Sequence, residues 1–255
     1  ALALSQNGPA ITLAREFYTL LSKSIADWKD TSSVGAEFKK QVKNSKVKPV
    51  IATVYPYSNH HYLLRYWLEQ HGINAETDVQ LIAAPPTHMI PSLSNGAIDG
   101  YCVGEPWNSL ALIQQIGGLL TTGHEIWGAH MEKVLGVTQE WANAHPNSHK
   151  ALVNALYEAC QWAEDSANKE ELFQLLALPP YLDQAATQLA NYTPPLAMEQ
   201  HFAGKHVNVP DPKQGEFLLG QMLDCGQLSD TDNPADFATI SRTVYRQDLF
   251  QKWVS

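Results

Sequence analysis

The chain has 255 residues, 44% of them hydrophobic and 17% charged, with 26 acidic against 17 basic side chains for a formal net charge of −9. That length and mix suit a globular protein of one large domain or two modest ones. The acidic balance argues against direct nucleic-acid binding or an anionic membrane surface, both of which need a basic footprint, and no run approaches the ~20 apolar residues that cross a bilayer.

At the start, Ala1-Leu2-Ala3-Leu4-Ser5 lacks the basic head and small-residue cleavage site of a signal peptide. The basic cluster Lys39, Lys40, Lys43, Lys46 and Lys48 reads as a solvated helix and linker. From Pro49 onward, short apolar runs alternate with amphipathic segments. Val50–Tyr55 predicts a buried strand, Asn59–His71 a helix closed by Gly72, Val79–Ala84 a second strand, Thr87–Ser94 a short helix ending near Gly96, and Ile98–Val103 a third strand. This alternation predicts an α/β class with a largely parallel sheet, because right-handed βαβ crossovers put helices on the faces. Leu119–Thr122 and Val134–Val137 are shorter strand candidates.

Beyond Gln139 the pattern turns helical. Leu152, Ala155, Leu156, Ala159 and Ala163 form one apolar stripe, and further helices are expected at 170–176, 182–191, 215–225 and 234–245. So many helices with so little sheet of their own imply that the tail packs on strands from elsewhere in the chain. The three cysteines, Cys102, Cys160 and Cys225, are far apart and form no C-x-x-C pair, so neither a zinc site nor a disulfide framework is indicated.

Three stretches could carry chemistry. Gly104-Glu105-Pro106-Trp107 follows a strand, with Pro106 placed for the first turn of a helix; the expectation is exposed backbone N–H groups at the carboxyl end of a strand, where open α/β sheets take anions, or else a plain connector. Ser58-Asn59-His60-His61 also follows a strand, and it offers a helix cap with an imidazole beside it or simply a capped helix start. Glu132-Lys133, just before Val134–Val137, offers a cation beside a strand or an ordinary surface ion pair. There is no G-x-S-x-G, P-loop, G-x-G-x-x-G or H-E-x-x-H motif, so an enzyme is not expected.

Several blocks together carry a resemblance: Asn7-Gly8-x-Ala10-Ile11-Thr12, Leu64-Arg65-Tyr66-Trp67-Leu68, Ala84-Pro85-Pro86-x-x-Met89, Asp99 through Trp107, Glu132-Lys133-Val134-Leu135-Gly136, and Val244 through Leu249. The chain resembles the nitrate- and bicarbonate-binding proteins of ABC importers, and equally the soluble nitrate/nitrite sensor that pairs with an antiterminator. The resemblance implies a type II periplasmic-binding-protein fold, two α/β lobes joined by a hinge with a small anion in the cleft. It also implies that the opening of the first lobe, with an aromatic residue lining the family's anion site, lies outside this sequence. On that basis 1–48 are expected to be part of the first lobe and hinge, 49–122 the second lobe, and 123–255 a mainly helical return to the first.

Carried over residue by residue, the family's anion-contacting histidine falls on His60, its contacting glycine on Gly104, and the lysine that marks nitrate binders on Lys133. Pro9 stands where the family has a glutamine ligand, with Gln6 the substitute. The family's His and Trp near residues 215–221, and the Arg-Trp-Gly-Gln that follows them, are replaced here by Gln214, Phe217 and Asp224-Cys225-Gly226-Gln227, a surface expected to face a partner or the other lobe. The resemblance implies nitrate or nitrite as ligand, no cofactor or metal, and the membrane component of an ABC transporter as partner. The expected location is the periplasm, free or membrane-anchored on that side. The alternatives are a cytoplasmic sensor acting on an antiterminator, a bicarbonate binder, or an enzyme on the same fold.

Overall fold

The computed structural model describes residues 2–179, 181–182, 200–204, 206–229 and 233–254. The helix expected over 182–191 falls almost wholly outside them. Two compact units emerge: one from the described residues of Gly8–Gly128 and Leu176–Glu199, the other from those of Ala1–Asn7, Ala129–Leu175 and Gln200–Ser255. Residues 8–48 thus share a unit with 49–122. Gly8 and Gly128, where the chain passes from one unit to the other, have φ of 101° and 72°, a left-handed region that glycine enters without steric cost.

The unit around Gly8–Gly128 is an α/β layer structure. Its five strands are β2 (Ala10–Ala14), β3 (Val50–Thr53), β4 (Gln80–Ala83), β5 (Gly100–Val103) and β6 (Gly117–Thr122), in the order β4-β3-β5-β2-β6. Strand β3 pairs in parallel with β4 and β5, while β2 is antiparallel to both β5 and β6, so four strands run one way and β2 the other. The α/β class is as expected, with the parallel ladders confined to β4-β3-β5.

Period-2 alternation divides the sheet's side chains between two helical layers. On one face Ile11, Leu13, Ile51 and Cys102 join the core made by α1 (Arg15–Ser22), α2 (Thr31–Asn44) and α3 (Asn59–Gln70), where Phe38 stacks on Phe17 at 5.4 Å and meets Trp67 edge-on at 5.2 Å. On the other, Thr12 donates to Asn108 at 2.9 Å, tying β2 to α5 (Trp107–Ile113), and α4 (Met89–Ser94) packs beside α5. Helix α3 begins on Ser58, whose side chain accepts the His61 N–H, and ends at Gly72 with φ 65°. The lysine-rich stretch lies largely on α2, whose opposite side buries Val34, Phe38 and Val42.

The second unit has a smaller sheet. Strand β1 (Leu2–Gln6) pairs antiparallel with β7 (Met131–Leu135), and the ladder is interrupted around Ser5. Its other elements among the described residues are helices, joined by turns: α7 (Gln139–Ala144), α8 (Pro146–Glu164), α9 (Lys169–Leu176), α10 (Pro212–Asp224), α11 (Phe237–Val244) and α12 (Gln247–Val254). Helix α8 lies against β1, and the buried Cys160 thiol donates to the Leu4 carbonyl at 3.4 Å. The strands expected from elsewhere in the chain are therefore supplied in part by its first residues. Gln214 on α10 accepts the Met131 N–H at 2.6 Å, so this residue is spent on β7 within its own unit, whereas Phe217 is exposed.

Candidate functional site

Strands β3 and β5 are parallel neighbours, paired from Ile51 with Gly100 to Thr53 with Cys102, so the loops at their carboxyl ends emerge side by side. The loop after β3 leads to Ser58 and the buried His60 on the first turn of α3; the loop after β5 is Gly104-Glu105-Pro106. The start of β2 and the end of β6 reach the same edge, since Ala10 pairs with both Val103 and Thr122. There Gly123 donates its N–H to the Pro9 carbonyl at 2.7 Å, and Thr122 and Glu125 form a reciprocal capping box on α6 (Gly123–Trp127). One sheet edge thus gathers the amino ends of three helices, with dipoles that favour a negative charge, and carries two of the expected anion contacts, His60 and Gly104.

The detail at Gly104 differs from the expectation of exposed donors. Pro106 takes the N-cap position rather than the first turn, and the Glu105 carboxylate folds back onto α5. Its Oε2 accepts from the Ser109 hydroxyl at 2.6 Å and from the Ser109 N–H at 3.2 Å. One helix-start donor is therefore already satisfied by the chain's own acid. Burial outweighs these two bonds and pushes the Glu105 carboxyl up to about 7. Below it on β5, Tyr101 is fully buried, donates to the Trp107 carbonyl at 2.8 Å, and has its phenol raised well above the usual range, by burial first and then by Glu105. His61, unlike His60, is half-buried; desolvation and then the Arg65 charge hold its imidazole below the ordinary value, with Glu76 opposing.

The other two expected contacts lie in the second unit. Lys133 stands inside β7 rather than ahead of it, paired in register with Ser5, because burial of Met131 and Glu132 starts the strand early. Its side chain is 61% exposed, and Nζ contacts the carboxylate of the buried Glu132. Gln6 ends β1; its backbone is held by His201 through a donated bond of 2.8 Å and an accepted one of 3.0 Å. Sequence reasoning did not single out Asn108, wholly buried, which accepts from Thr12 and donates to the Val103 carbonyl at 2.9 Å, fixing the strand end that carries Gly104. A lone Asn after Trp107 gives no sequence signal for this.

The model of the NMT1-like family matches residues 1–177. The chain belongs to that family. It is 38% identical over 254 residues, 98% of its length, to the bicarbonate transport ATP-binding protein CmpC of Synechococcus elongatus, and 36% identical over 191 residues to the nitrate/nitrite binding protein NrtA of Nostoc. These alignments take in 36% and 41% of the two relatives and, for NrtA, 73% of this chain, so the chain spans well under half the length of either. Among solved structures, the periplasmic nitrate-binding protein NrtA from Synechocystis superposes with a TM-score of 0.84 at 24% identity, over 99% of this chain and 66% of that one. The aliphatic sulphonate binding protein SsuA of Escherichia coli superposes at 0.56, with 17% identity, over 89% and 65%. The fold is that of the periplasmic solute-binding proteins, the class that the sequence blocks implied.

Proposed function

We propose that this chain binds a small planar anion, nitrate or nitrite, as the solute-binding part of an ABC import system on the periplasmic side of the membrane, and performs no chemistry. The observation that carries this reading is the sheet edge where His60, Gly104 and three helix starts come together. An imidazole and the dipoles of the helix starts suit an anion that only accepts hydrogen bonds. By the family resemblance Lys133 and Gln6 are further ligand positions, Lys133 being the one that favours nitrate over bicarbonate. The binding proteins named NrtA among the relatives support the ligand class. The membrane component of the importer is the partner.

The test is a calorimetric titration with nitrate, nitrite, bicarbonate and an alkanesulfonate. Saturable heat with nitrate or nitrite is expected; heat from bicarbonate or the sulfonate alone would overturn the assignment.

A second reading has its own support. The alignment with CmpC takes in 98% of this chain but about a third of a protein named for ATP binding, and this chain has no P-loop. In that reading the same anion site reports to a transport ATPase rather than delivering solute. An effect of the bound anion on the ATPase rate of the assembled transporter, without transfer of the anion, distinguishes it.

A further inference from the structure

Glu105 stands next to Gly104 with its two oxygens in unlike surroundings. Oε2 is held by the hydroxyl and N–H of Ser109, whereas Oε1 is shut off from solvent and has no hydrogen-bond partner. The Tyr101 hydroxyl, close enough to feel the Glu105 charge, is committed to the Trp107 carbonyl. A shielded carboxylate oxygen with no donor is costly, but a protonated one needs only an acceptor. Nitrate and nitrite offer nothing but acceptors.

We propose that Glu105 is a further ligand group of the anion site, binding as the neutral acid and donating from Oε1 to the anion held at Gly104. The inference rests on the reading of Gly104 as an anion contact. The balance is simple: one proton from solvent joins the Glu105 carboxylate as one anion arrives, and no covalent bond to the anion forms or breaks. An ionised Glu105 would instead set like charges side by side.

The surroundings allow this exchange. The elements packed most closely on α5, namely α4, β2 and β6, carry no acidic or basic side chain. Strand β5 contributes Tyr101 and Cys102, both held neutral by burial, and α3, packed on β5, contributes His60, His61, Tyr62, Arg65, Tyr66 and Glu69. The causes that act on Glu105 are burial and its bonds to Ser109, and no cation is among them. Its titration therefore lies where a modest change in its surroundings, such as an incoming anion, moves it across neutrality.

The experiment is a nitrate titration by calorimetry in two non-sulfonate buffers of different ionisation enthalpy, from about pH 6 to about pH 8, beside carbon-13 NMR of the glutamate carboxyls in the free protein. Near neutrality, uptake of a substantial fraction of a proton per anion is expected. The dissociation constant should rise toward tenfold per pH unit above the titration point. Glu105→Gln, whose amide donates at either pH, is expected to remove the pH dependence and the proton uptake, and one carboxyl titrating near pH 7 should vanish from the spectrum.

Nitrate bound with no proton uptake, and with the same pH profile in Glu105→Gln, overturns the role of Glu105 and leaves the nitrate reading standing. Nitrate inert while formate binds with proton uptake overturns nitrate and keeps Glu105. Absence of binding by every anion overturns both.

Discussion

The two units bury their apolar surface in different ways. Around Gly8–Gly128 a five-stranded sheet is covered on both faces, and a continuous core runs from Ile11 through Phe38 and Trp67 to Leu120. The unit containing β1 and β7 has two strands and a set of helices among its described residues, and the hydrophobic residues it buries are few: Leu2, Ala3, Met131, Val153, Cys160, Val207 and Phe237. A sheet closed by helices on both sides fixes its strand ends tightly, and His60 and Gly104 stand at such ends. Lys133 and Gln6 stand on a two-stranded ladder whose register is interrupted beside them. The first pair is set by a core, the second by a few backbone bonds.

The largest expected effect tests the core. Phe38→Ala, at a fully buried ring in contact with Phe17 and Trp67, should cost about 3–5 kcal/mol, read as a lower denaturant midpoint. Val244→Ser, at a residue 65% exposed in the other unit, should change stability by less than about 0.5 kcal/mol. Comparable losses from the two would contradict the packing of Phe38 in that core.

Next in size is a pH effect at Glu105. Its folded value of about 7 lies above the ordinary 4.5, so the folded state binds the proton more tightly than the unfolded chain. Its stabilising contribution is present in full below about pH 4.5 and is lost as the pH rises to about 7, a swing of roughly 3 kcal/mol at ~1.4 kcal/mol per unit. Glu105→Gln should flatten that part of the stability profile, as measured by denaturation at a series of pH values.

Smaller again, Thr122→Ala removes one half of the capping box on α6 at the same sheet edge and should cost about 1 kcal/mol by thermal denaturation. At the bottom of the scale, Lys40→Ala breaks an exposed pair with Glu37 on α2 and should change stability by less than about 0.5 kcal/mol.

The same contrast governs what could be read from the sequence. Strands β3 and β5 and helix α3 were legible because apolar runs, a Ser58 cap and a closing Gly72 mark them in one dimension. Strand β2 was not, because five residues after an Asn-Gly-Pro turn carry too little periodicity, and its antiparallel insertion depends on pairing with residues about 90 to 110 positions away. Helix α2 was legible only as the solvated helix of the lysine cluster, and its apolar face of Val34, Phe38 and Val42 was not; α12 followed a pattern too short to register. In the candidate site, the strand-end positions of His60 and Gly104 followed from the alternation of elements. The return of Glu105 onto Ser109 could not be read, since a side chain's choice between solvent and its own helix depends on the packed surroundings.

The most direct measurement is nitrate affinity by equilibrium dialysis for the wild type, His60→Ala and Lys133→Glu, with folding checked by circular dichroism. On the proposed assignment, loss of the buried His60 imidazole or reversal of the Lys133 charge should weaken binding by a hundredfold or more, about 3 kcal/mol. Wild-type affinity retained in either variant would contradict the assignment of that residue to the anion, and retained in both, the site itself.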